Sequence, residues 1–315
     1  MKVVVTGSIA FDYIMSFPGR FSEHILPDQI DHLSLSFLVD SMKKQRGGCA
    51  ANIAYNLALL GETPLLMATA GQDFGEYRKW LDQHGVDTSA VREYPDEFTS
   101  SFFVSTDLDQ SQIASFYIGA MGRAGELSFK ALTPRPDIVI ISPNDPKAMT
   151  QYVRECKALG IRYIYDPSQQ IVRLSDDELR EGIDGSAITI TNDYEFEMLR
   201  SRLHMEEAAF VKCAEVLIIT RGAEGSTILT REQRFVVPAV TTARPIDPTG
   251  VGDAYRAGLI RGLALGLPWE TIGRMAGLAA TYVLENHGPQ NHQYTREEFV
   301  QRYRTHFGNG GLSGL

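Results

Sequence analysis

The sequence predicts an α/β fold in which helices cover both faces of a mainly parallel sheet. Short apolar runs alternate with helical patterns along most of the 315 residues, as in chains built from successive strand and helix units. The runs 137–142 and 216–220 are too short to cross a bilayer and are typical of strands buried on both faces. We expect strands at Val3–Ile9, Pro64–Ala70, Asp137–Ser142, Arg162–Asp166, Ala187–Thr191, Val216–Thr220, Ser226–Thr230 and Arg234–Val240.

The helices between these strands have recognisable beginnings. Ser175 with Glu178, and Thr295 with Glu298, have the spacing of capping boxes. Pro268 suits the first turn of a helix, because its missing N–H would have no partner there. These signals support the alternation of strands with helices.

Two stretches depart from this rhythm. Residues 28–39 and 98–118, the second split by a turn at 107–110, alternate polar and apolar side chains like half-exposed antiparallel strands. They predict a small sheet outside the main one, either a structural addition or a lid over a cleft. Phe102 and Phe116 favour the lid, since aromatic faces suit a flat ligand, although packing would also explain them.

Charge and cysteine content exclude several classes of protein. Thirty basic and 39 acidic residues give a net charge of -9 at pH 7, which opposes attraction to a phosphate backbone, so nucleic acid is not an expected partner. The chain enters a strand at once, with no leader of the secretory type, which favours a cytoplasmic protein. Cys49, Cys156 and Cys213 lack the spacing of zinc sites or disulfides and are expected to be reduced.

The segment 247–258, Asp-Pro-Thr-Gly-Val-Gly-Asp-Ala-Tyr-Arg-Ala-Gly, leads from a turn into an apolar helix. Gly250 and Gly252 therefore lie at a helix N-terminus, where unpaired N–H groups and the helix dipole attract anions. Asp253 in the first turn is either an ordinary cap or a base that takes a proton from a hydroxyl attacking a phosphate. The motif taken alone leaves both interpretations open.

Other polar residues fit a sugar and a nucleotide near this helix. Asn52 lies on the first turn of a second glycine-led helix, and Asp12 follows the first strand; both suit sugar hydroxyls. The turn 220–225 contains glycines where a nucleotide could lie. Asn192 and Glu195, at the end of another strand, could steer a hydrated magnesium ion bound to phosphates.

Two common nucleotide motifs and a metal centre have no support. The chain lacks the P-loop pattern Gly-x-x-x-x-Gly-Lys-Ser/Thr, and the segment 7–12 after the first strand lacks Gly-x-Gly-x-x-Gly. His287 and His292 are five residues apart, a spacing without metal-site geometry.

Together these motifs resemble those of the ribokinase-like, or PfkB, family of carbohydrate and nucleoside kinases, over essentially the whole chain. The late motif departs from the family pattern in two ways, with Pro248 inserted before Thr249 and Val251 where alanine is usual. Neither change touches the amides or the acid. Within the family, the chain looks most like bacterial adenosine kinases, in the segments 35–40, 112–121, 166–170 and 247–253.

The resemblance implies a three-layer αβα sandwich with a small β-sheet lid. It implies one kinase domain over residues 1–315, with the lid formed by about 12–40 and 96–122. The implied reaction is ATP-dependent phosphorylation of the 5′-hydroxyl of adenosine, with Mg²⁺ and a monovalent cation such as K⁺ as candidate cofactors. Alternatives are a related sugar or other nucleoside kinase, or a nucleoside-binding sensor without catalysis.

The resemblance also implies roles for individual residues. Asp253 would be the general base, and the amides of Gly250, Val251 and Gly252 would hold the moving phosphate. The substrate residues would be Ser8, Asp12, Ser36, Gly48, Asn52, Phe102, Phe116, Gln169, Gln170 and Arg173. The ATP residues would be Asn192, Thr220, Gly222, Gly225, Gly252 and Asn286, with Asn192 and Glu195 near the metal.

Two further expectations concern the lid. Its sheet has edges to protect, and pairing with a second copy would protect them, so we expect a homodimer through lid strands. Arg123 lies beside the lid in sequence and is either a phosphate contact or an ordinary surface arginine.

Overall fold

A computed structural model of the chain describes residues 1–25, 34–308 and 312. Its strands, numbered in chain order, are β1 (Val3–Thr6), β2 (Ala10–Ser16), β3 (Ser41–Gly47), β4 (Leu65–Met67), β5 (Thr69–Gly71), β6 (Arg92–Tyr94), β7 (Ser100–Thr106), β8 (Gln112–Tyr117), β9 (Ile138–Ile141), β10 (Arg162–Tyr165), β11 (Ile188–Asn192), β12 (Val216–Thr220), β13 (Ser226–Thr230) and β14 (Arg234–Val237). The helices are α1 (Cys49–Leu59), α2 (Gly75–Gln83), α3 (Pro146–Leu159), α4 (Asp176–Ile183), α5 (Asp193–Leu203), α6 (Glu207–Cys213), α7 (Val251–Ala264), α8 (Trp269–Leu284) and α9 (Arg296–Phe307).

The main sheet has eight strands in the order β14-β13-β12-β11-β10-β9-β1-β4. Six of them, from β12 to β4, are parallel, and β13 and β14 add an antiparallel edge. The chain places β4 on one side of β1 and β9 on the other, so the strand order reverses there. In open α/β sheets, ligands bind outside the carboxyl ends of the strands near such a reversal.

Each central strand buries both of its faces. Val3 and Val5 pack into one apolar core together with residues of α1, α7 and α8, whereas Val4 points into a second core with residues of α3, α4 and α5. Alternate side chains therefore enter opposite layers, and this double burial is why the strands are continuously apolar. The arrangement is the expected three-layer αβα sandwich.

The predicted strands of the main sheet are confirmed: β12 and β13 have the predicted bounds, β11 is shifted by one residue, and the others are shorter. The expected strand 64–70 is divided between β4, in the main sheet, and β5, which pairs with β6 in a two-stranded sheet. Both predicted capping boxes form, at Ser175 and at Thr295. Pro268 lies one residue earlier than predicted, at the N-cap of α8.

The small sheet has the strand order β3-β2-β7-β8. The predicted strands within 98–118 are confirmed as β7 and β8, but the prediction for 28–39 is wrong where it can be compared: residues 34–39 form no strand, and 28–33 lie outside the described residues. Strand β2 lies between β7 and β3, and the edge strand β3 carries Lys43, Lys44 and Arg46. Charges of this kind protect an edge strand from pairing with other chains. They also interrupt the apolar alternation by which a strand is recognised in a sequence.

Two expectations from composition can be compared with the structure. Cys49, Cys156 and Cys213 are free thiols, as predicted. Among the described helices, none combines the length and the apolar character that crossing a membrane requires.

Candidate active site

Helix α7 begins at a glycine that no other residue could easily replace. Gly250, its N-cap, has a φ of 80°, in the left-handed region that side chains disfavour. A Cβ on Gly250 would lie 2.4 Å from the Cβ of Pro289, so space as well as backbone conformation requires glycine. The first turn of the helix carries N–H groups without helical partners and the positive end of the dipole, which together form an anion site.

This helix start opens into a cleft of about 850 Å³. The cleft lies at the carboxyl ends of β10, β11 and β12, the end of the strands at which open α/β sheets bind ligands. Many residues that the sequence predicted for catalysis, ATP and metal line it together: Asn192, Glu195, Thr220, Gly222, Gly225, Gly250, Val251, Gly252 and Asp253. Gln169, which was predicted to contact the substrate, lines the same cleft.

The carboxylate of Asp253 is half-buried at the inner end of this cleft. Burial raises the pKa of Asp253 to about 7, although the nearby Arg256 and a hydrogen bond from Asn52 oppose that increase. The amide Nδ2 of Asn52 donates to Oδ2 of Asp253 at 2.8 Å. A carboxyl group with a pKa near neutrality can accept and release a proton at physiological pH, which an ordinary helix cap does not need.

Helix α1 begins at a second glycine, close to the first. Gly48, the N-cap of α1, has a φ of 93°, and a Cβ there would lie 2.6 Å from the backbone nitrogen of Ala10. Oγ of Ser8 accepts a hydrogen bond from the Cys49 amide at 3.1 Å, so Ser8 caps this helix. Asn52, on the first turn of α1, then connects the two glycine-led helices through its bond to Asp253.

The small sheet places polar and aromatic residues in one row. Strand register sets Gln45 opposite Asp12, Asp12 beside Phe102, and Phe102 opposite Phe116, so all four side chains project from the same face of the sheet. Burial, and then the charge of Asp247, raise the pKa of Asp12 to about 6. The row offers hydrogen-bonding groups at one end and aromatic surface at the other, which suits a sugar joined to a flat ring.

Other predicted residues lie less close to these groups. Gln170 is buried and Arg173 is exposed, both in or beside the short helical turn after β10. Ser36 is exposed on a segment without regular secondary structure. Arg123 pairs with Glu126 at 2.7 Å and stacks on Tyr94, which supports its interpretation as a surface arginine.

The prediction that Asn286 lies near the adenine has no support in the cleft. Asn286 is not among the lining residues, and its side chain instead donates to the Tyr282 carbonyl at the end of α8. Leu284, two residues earlier, does line the cleft. The sequence reasoning missed an apolar wall that suits a flat base, formed by Val237, Val240, Ala280, Thr281 and Leu284.

The sequence reasoning also missed a buried ion pair beneath Asp253. Arg256 and Asp166 are 6% and 1% exposed, and the guanidinium donates two hydrogen bonds to the carboxylate, the Nη2 bond at 2.5 Å. Nη1 of Arg256 also donates to the Gly252 carbonyl at 2.9 Å, which holds the first turn of α7. An arginine one turn after the acid, on a mainly apolar helix, was the available sequence signal.

Asn192 and Glu195 are compatible with a hydrated magnesium ion. They form a capping box at the start of α5, and Glu195 also accepts from Ser168 at 3.0 Å. A carboxylate has about four acceptor positions, so Glu195 can still receive hydrogen bonds from metal-bound water. Among residues 1–25, 34–308 and 312, no group of three or more His, Cys, Asp or Glu side chains is arranged to hold a metal.

Comparison with known proteins places this geometry among kinases. The sequence pattern of the family described as pfkB family carbohydrate kinase matches residues 2–296. The nucleoside kinase of Methanocaldococcus jannaschii is 30% identical over 311 residues, covering 97% of each chain. The nucleoside kinase of Methanothermobacter thermautotrophicus is also 30% identical, over 97% of this chain and 96% of the relative.

Solved structures agree in fold. Burkholderia thailandensis nucleoside kinase in complex with inosine has a TM-score of 0.88 and 36% identity, over 99% of this chain and 100% of that one. The M. jannaschii enzyme, described as an archaeal member of the ribokinase family, has a TM-score of 0.87 and 29% identity, over 97% of this chain and 99% of that one. The fold is therefore ribokinase-like, as predicted. These relatives are called nucleoside kinases and not specifically adenosine kinases, so the narrower resemblance is not confirmed.

Proposed function

The chain belongs to the pfkB family of carbohydrate kinases, and on that premise we propose that it transfers the terminal phosphoryl group of ATP to the 5′-hydroxyl of a nucleoside. One observation carries the proposal. Asp253, with a pKa near neutrality, lies at the glycine-led start of α7, between the large cleft and the groups of α1 and the lid. That position suits a base between a phosphate donor and a sugar acceptor.

In the proposed reaction, Asp253 takes the proton of the 5′-hydroxyl as its oxygen forms a bond to the terminal phosphorus. The bond from that phosphorus to the bridging oxygen of ATP breaks, and ADP leaves with the bonding electrons. The first-turn amides of α7, at Gly250, Val251 and Gly252, face the oxygens of the transferring group, where fixed donors stabilise charge. Removal of water by the lid protects the phosphoryl group from hydrolysis.

We assign the acceptor nucleoside to the side of α1 and the lid. Asp12 and Asn52, with the backbone of Gly48, would bind the ribose hydroxyls, and Phe102 and Phe116 would pack on the base. Adenosine is the proposed acceptor, because the segments 35–40, 112–121, 166–170 and 247–253 resemble those of bacterial adenosine kinases. Inosine, which is bound to the Burkholderia enzyme, is the competing acceptor.

We assign ATP to the large cleft. Thr220, Gly222 and Gly225 line it at the end of β12, and Asn192 and Glu195 line it at the end of β11. Asn192 and Glu195 would hold Mg²⁺ through its water shell. The ion would neutralise phosphate charge when it is bound.

A panel of acceptors tests the assignment. Purified protein with MgATP is offered adenosine, inosine, guanosine, cytidine, uridine, ribose and fructose, and ADP release is measured for each. We expect release with nucleosides, with the highest kcat/KM for adenosine. Faster turnover of ribose or fructose would overturn the nucleoside assignment. Nucleoside binding without ADP release would indicate a sensor.

We also propose a homodimer through the lid strands. Strands β3 and β8 are the two edges of the lid sheet; β3 is protected by its charges, whereas β8 has no charged residue and is exposed along its whole length. Light scattering is expected to give twice the mass of 34.9 kDa. A monomer at micromolar concentration would contradict this arrangement.

The pH dependence of kcat/KM should show the two carboxyl groups whose pKa values are raised, Asp253 and Asp12. Asp253 must be ionised to act as a base, so with a pKa of about 7 activity is expected to fall as pH drops below neutrality. Asp12, with a pKa of about 6, adds a second loss at lower pH if its carboxylate accepts from the ribose. The logarithm of kcat/KM should therefore fall with a slope that steepens from about one to about two. A profile that stays flat from about pH 8 to 5 would contradict both roles.

Substitution of Gly250 tests the anion site. Gly250→Ala forces a side chain into a left-handed backbone position and against Pro289, so the start of α7 must shift. We expect turnover to fall by about 10-fold or more, because small displacements at a phosphoryl site are costly. The matched control is Gly160→Ala. Gly160 also has a positive φ, of 66°, but a Cβ added there would have no other atom within 4 Å. That control should lose stability without losing turnover, and equal turnover in both variants would contradict the prediction.

A further inference from the structure

Gln290 is linked to Asp253 through a single residue, Asn52. It follows Pro289 in the segment after α8, and only 2% of its surface is exposed. Its Nε2 donates to Oδ1 of Asn52 at 2.9 Å and to the hydroxyl of Tyr77. Gln290 therefore contacts the residue that itself donates to Asp253, without touching Asp253.

The hydrogen bonds around Gln290 have one consistent direction. The Tyr77 hydroxyl donates to the Gly47 carbonyl at 2.9 Å, so its oxygen is left to accept from Gln290. The amide of Gln290 must then point its nitrogen toward Tyr77 and Asn52. Because Oδ1 of Asn52 receives that N–H, the nitrogen of Asn52 is turned toward Asp253.

This orientation leaves one group unsatisfied. In the described part of the chain, the buried Oε1 of Gln290 has no hydrogen-bond partner. An unpaired buried carbonyl reduces stability, whereas the two bonds that Gln290 donates fix the orientation of the Asn52 amide.

We propose that Gln290 is a positioning residue for Asp253: it holds the Asn52 amide in the orientation that donates to one carboxylate oxygen and leaves the other free for the acceptor hydroxyl. This inference rests on the proposed function. Without Gln290, the Asn52 amide can rotate and present its oxygen to Asp253, which favours the protonated acid. The base would then be less ionised at neutral pH and less well aimed.

Other groups around Asp253 would stay in place in such a variant. Five charged or titratable side chains act on Asp253. They are Arg256 on its own helix, Asp166 in the loop after β10, Asp12 on β2, Cys49 on α1 and Tyr77 on α2. Gln290 and Asn52 are uncharged. A change in pH dependence after substitution of Gln290 would therefore report the orientation of Asn52.

Two substitutions test the proposal. Gln290→Met keeps the length of the side chain but cannot donate, and Gln290→Leu also removes both donated bonds without adding a charge. In both variants we expect kcat at pH 7 to fall by about 10-fold, and the pH of half-maximal kcat to rise by about one unit. The nucleoside KM should change by less than about 3-fold, because Asp12 and the backbone of Gly48 still hold the ribose although Asn52 rotates.

Gln151→Met is the matched control. Gln151 also donates from Nε2 to a neighbour, the Leu127 carbonyl at 2.9 Å, but it lies on α3 outside the cleft. This variant should lower the melting temperature without moving the pH profile. If the Gln290 variants fail to fold, Tyr77→Phe provides the test, since it removes the acceptor that orients Gln290 and should move the profile in the same direction.

The outcomes separate this inference from the proposed function. A wild-type profile that rises with pH, together with variant profiles shifted to higher pH, would support it. If wild type releases ADP with nucleosides but the variants lose only stability, with an unmoved profile, Gln290 is structural and this inference alone is overturned. A wild-type protein without nucleoside-dependent ADP release would overturn both.

Discussion

Asp253→Asn is expected to lower kcat by about 100-fold or more while nucleoside affinity stays within a few fold of wild type. Loss of a general base typically costs 10²- to 10⁴-fold, and the asparagine keeps the size of the side chain and an oxygen that can accept from Asn52. The first-turn amides of α7 remain, so some activity should persist. Initial rates of ADP release, with nucleoside binding measured by calorimetry, separate the two effects.

The matched control for this variant is Asp177→Asn. Asp177 is also in the first turn of a helix, α4, but it is exposed and does not line the cleft. Its replacement should leave kcat unchanged. Wild-type turnover in Asp253→Asn would show that the carboxylate is only a cap, and the proposed mechanism would be wrong.

Arg256→Met is expected to give the largest loss of stability. It would leave the carboxylate of Asp166 buried without its partner, and breaking a buried pair from one side typically costs about 3–5 kcal/mol. It also removes the bond to the Gly252 carbonyl, so the start of α7 should loosen and kcat should fall. Urea unfolding gives the first effect, and assays well below the melting temperature give the second.

A surface pair provides the comparison. Arg154→Met breaks the bridge to Glu181 on exposed faces of α3 and α4, where such pairs contribute about 1 kcal/mol or less. The double variant Arg256→Met with Asp166→Leu should regain much of the lost stability, because no buried charge is left unpaired. An Arg256→Met variant no less stable than Arg154→Met would contradict the buried pair.

The sequence predicted the parts of the fold whose signals are local. The central strands could be found because both of their faces are apolar, and the start of α7 because its glycines adjoin Asp253. Strand β3 could not, because a charged edge strand resembles a polar loop. The pair of Arg256 with Asp166 joins residues 90 apart, and Gln290 reaches Asn52 across 238 positions. No local pattern marks such partners, since only the folded chain brings them together.

The burial of Asp253 has opposite effects on stability and on activity as the pH changes. Its pKa rises from 3.8 to about 7 on folding, so the native state holds the extra proton between these values. This residue therefore contributes stability that is fully present below about pH 4 and is lost as pH rises through 7. We expect Asp253→Asn to melt above wild type at pH 8, with the difference vanishing in acid. At slightly alkaline pH the protein would therefore be most active, while the contribution of Asp253 to its stability is lost.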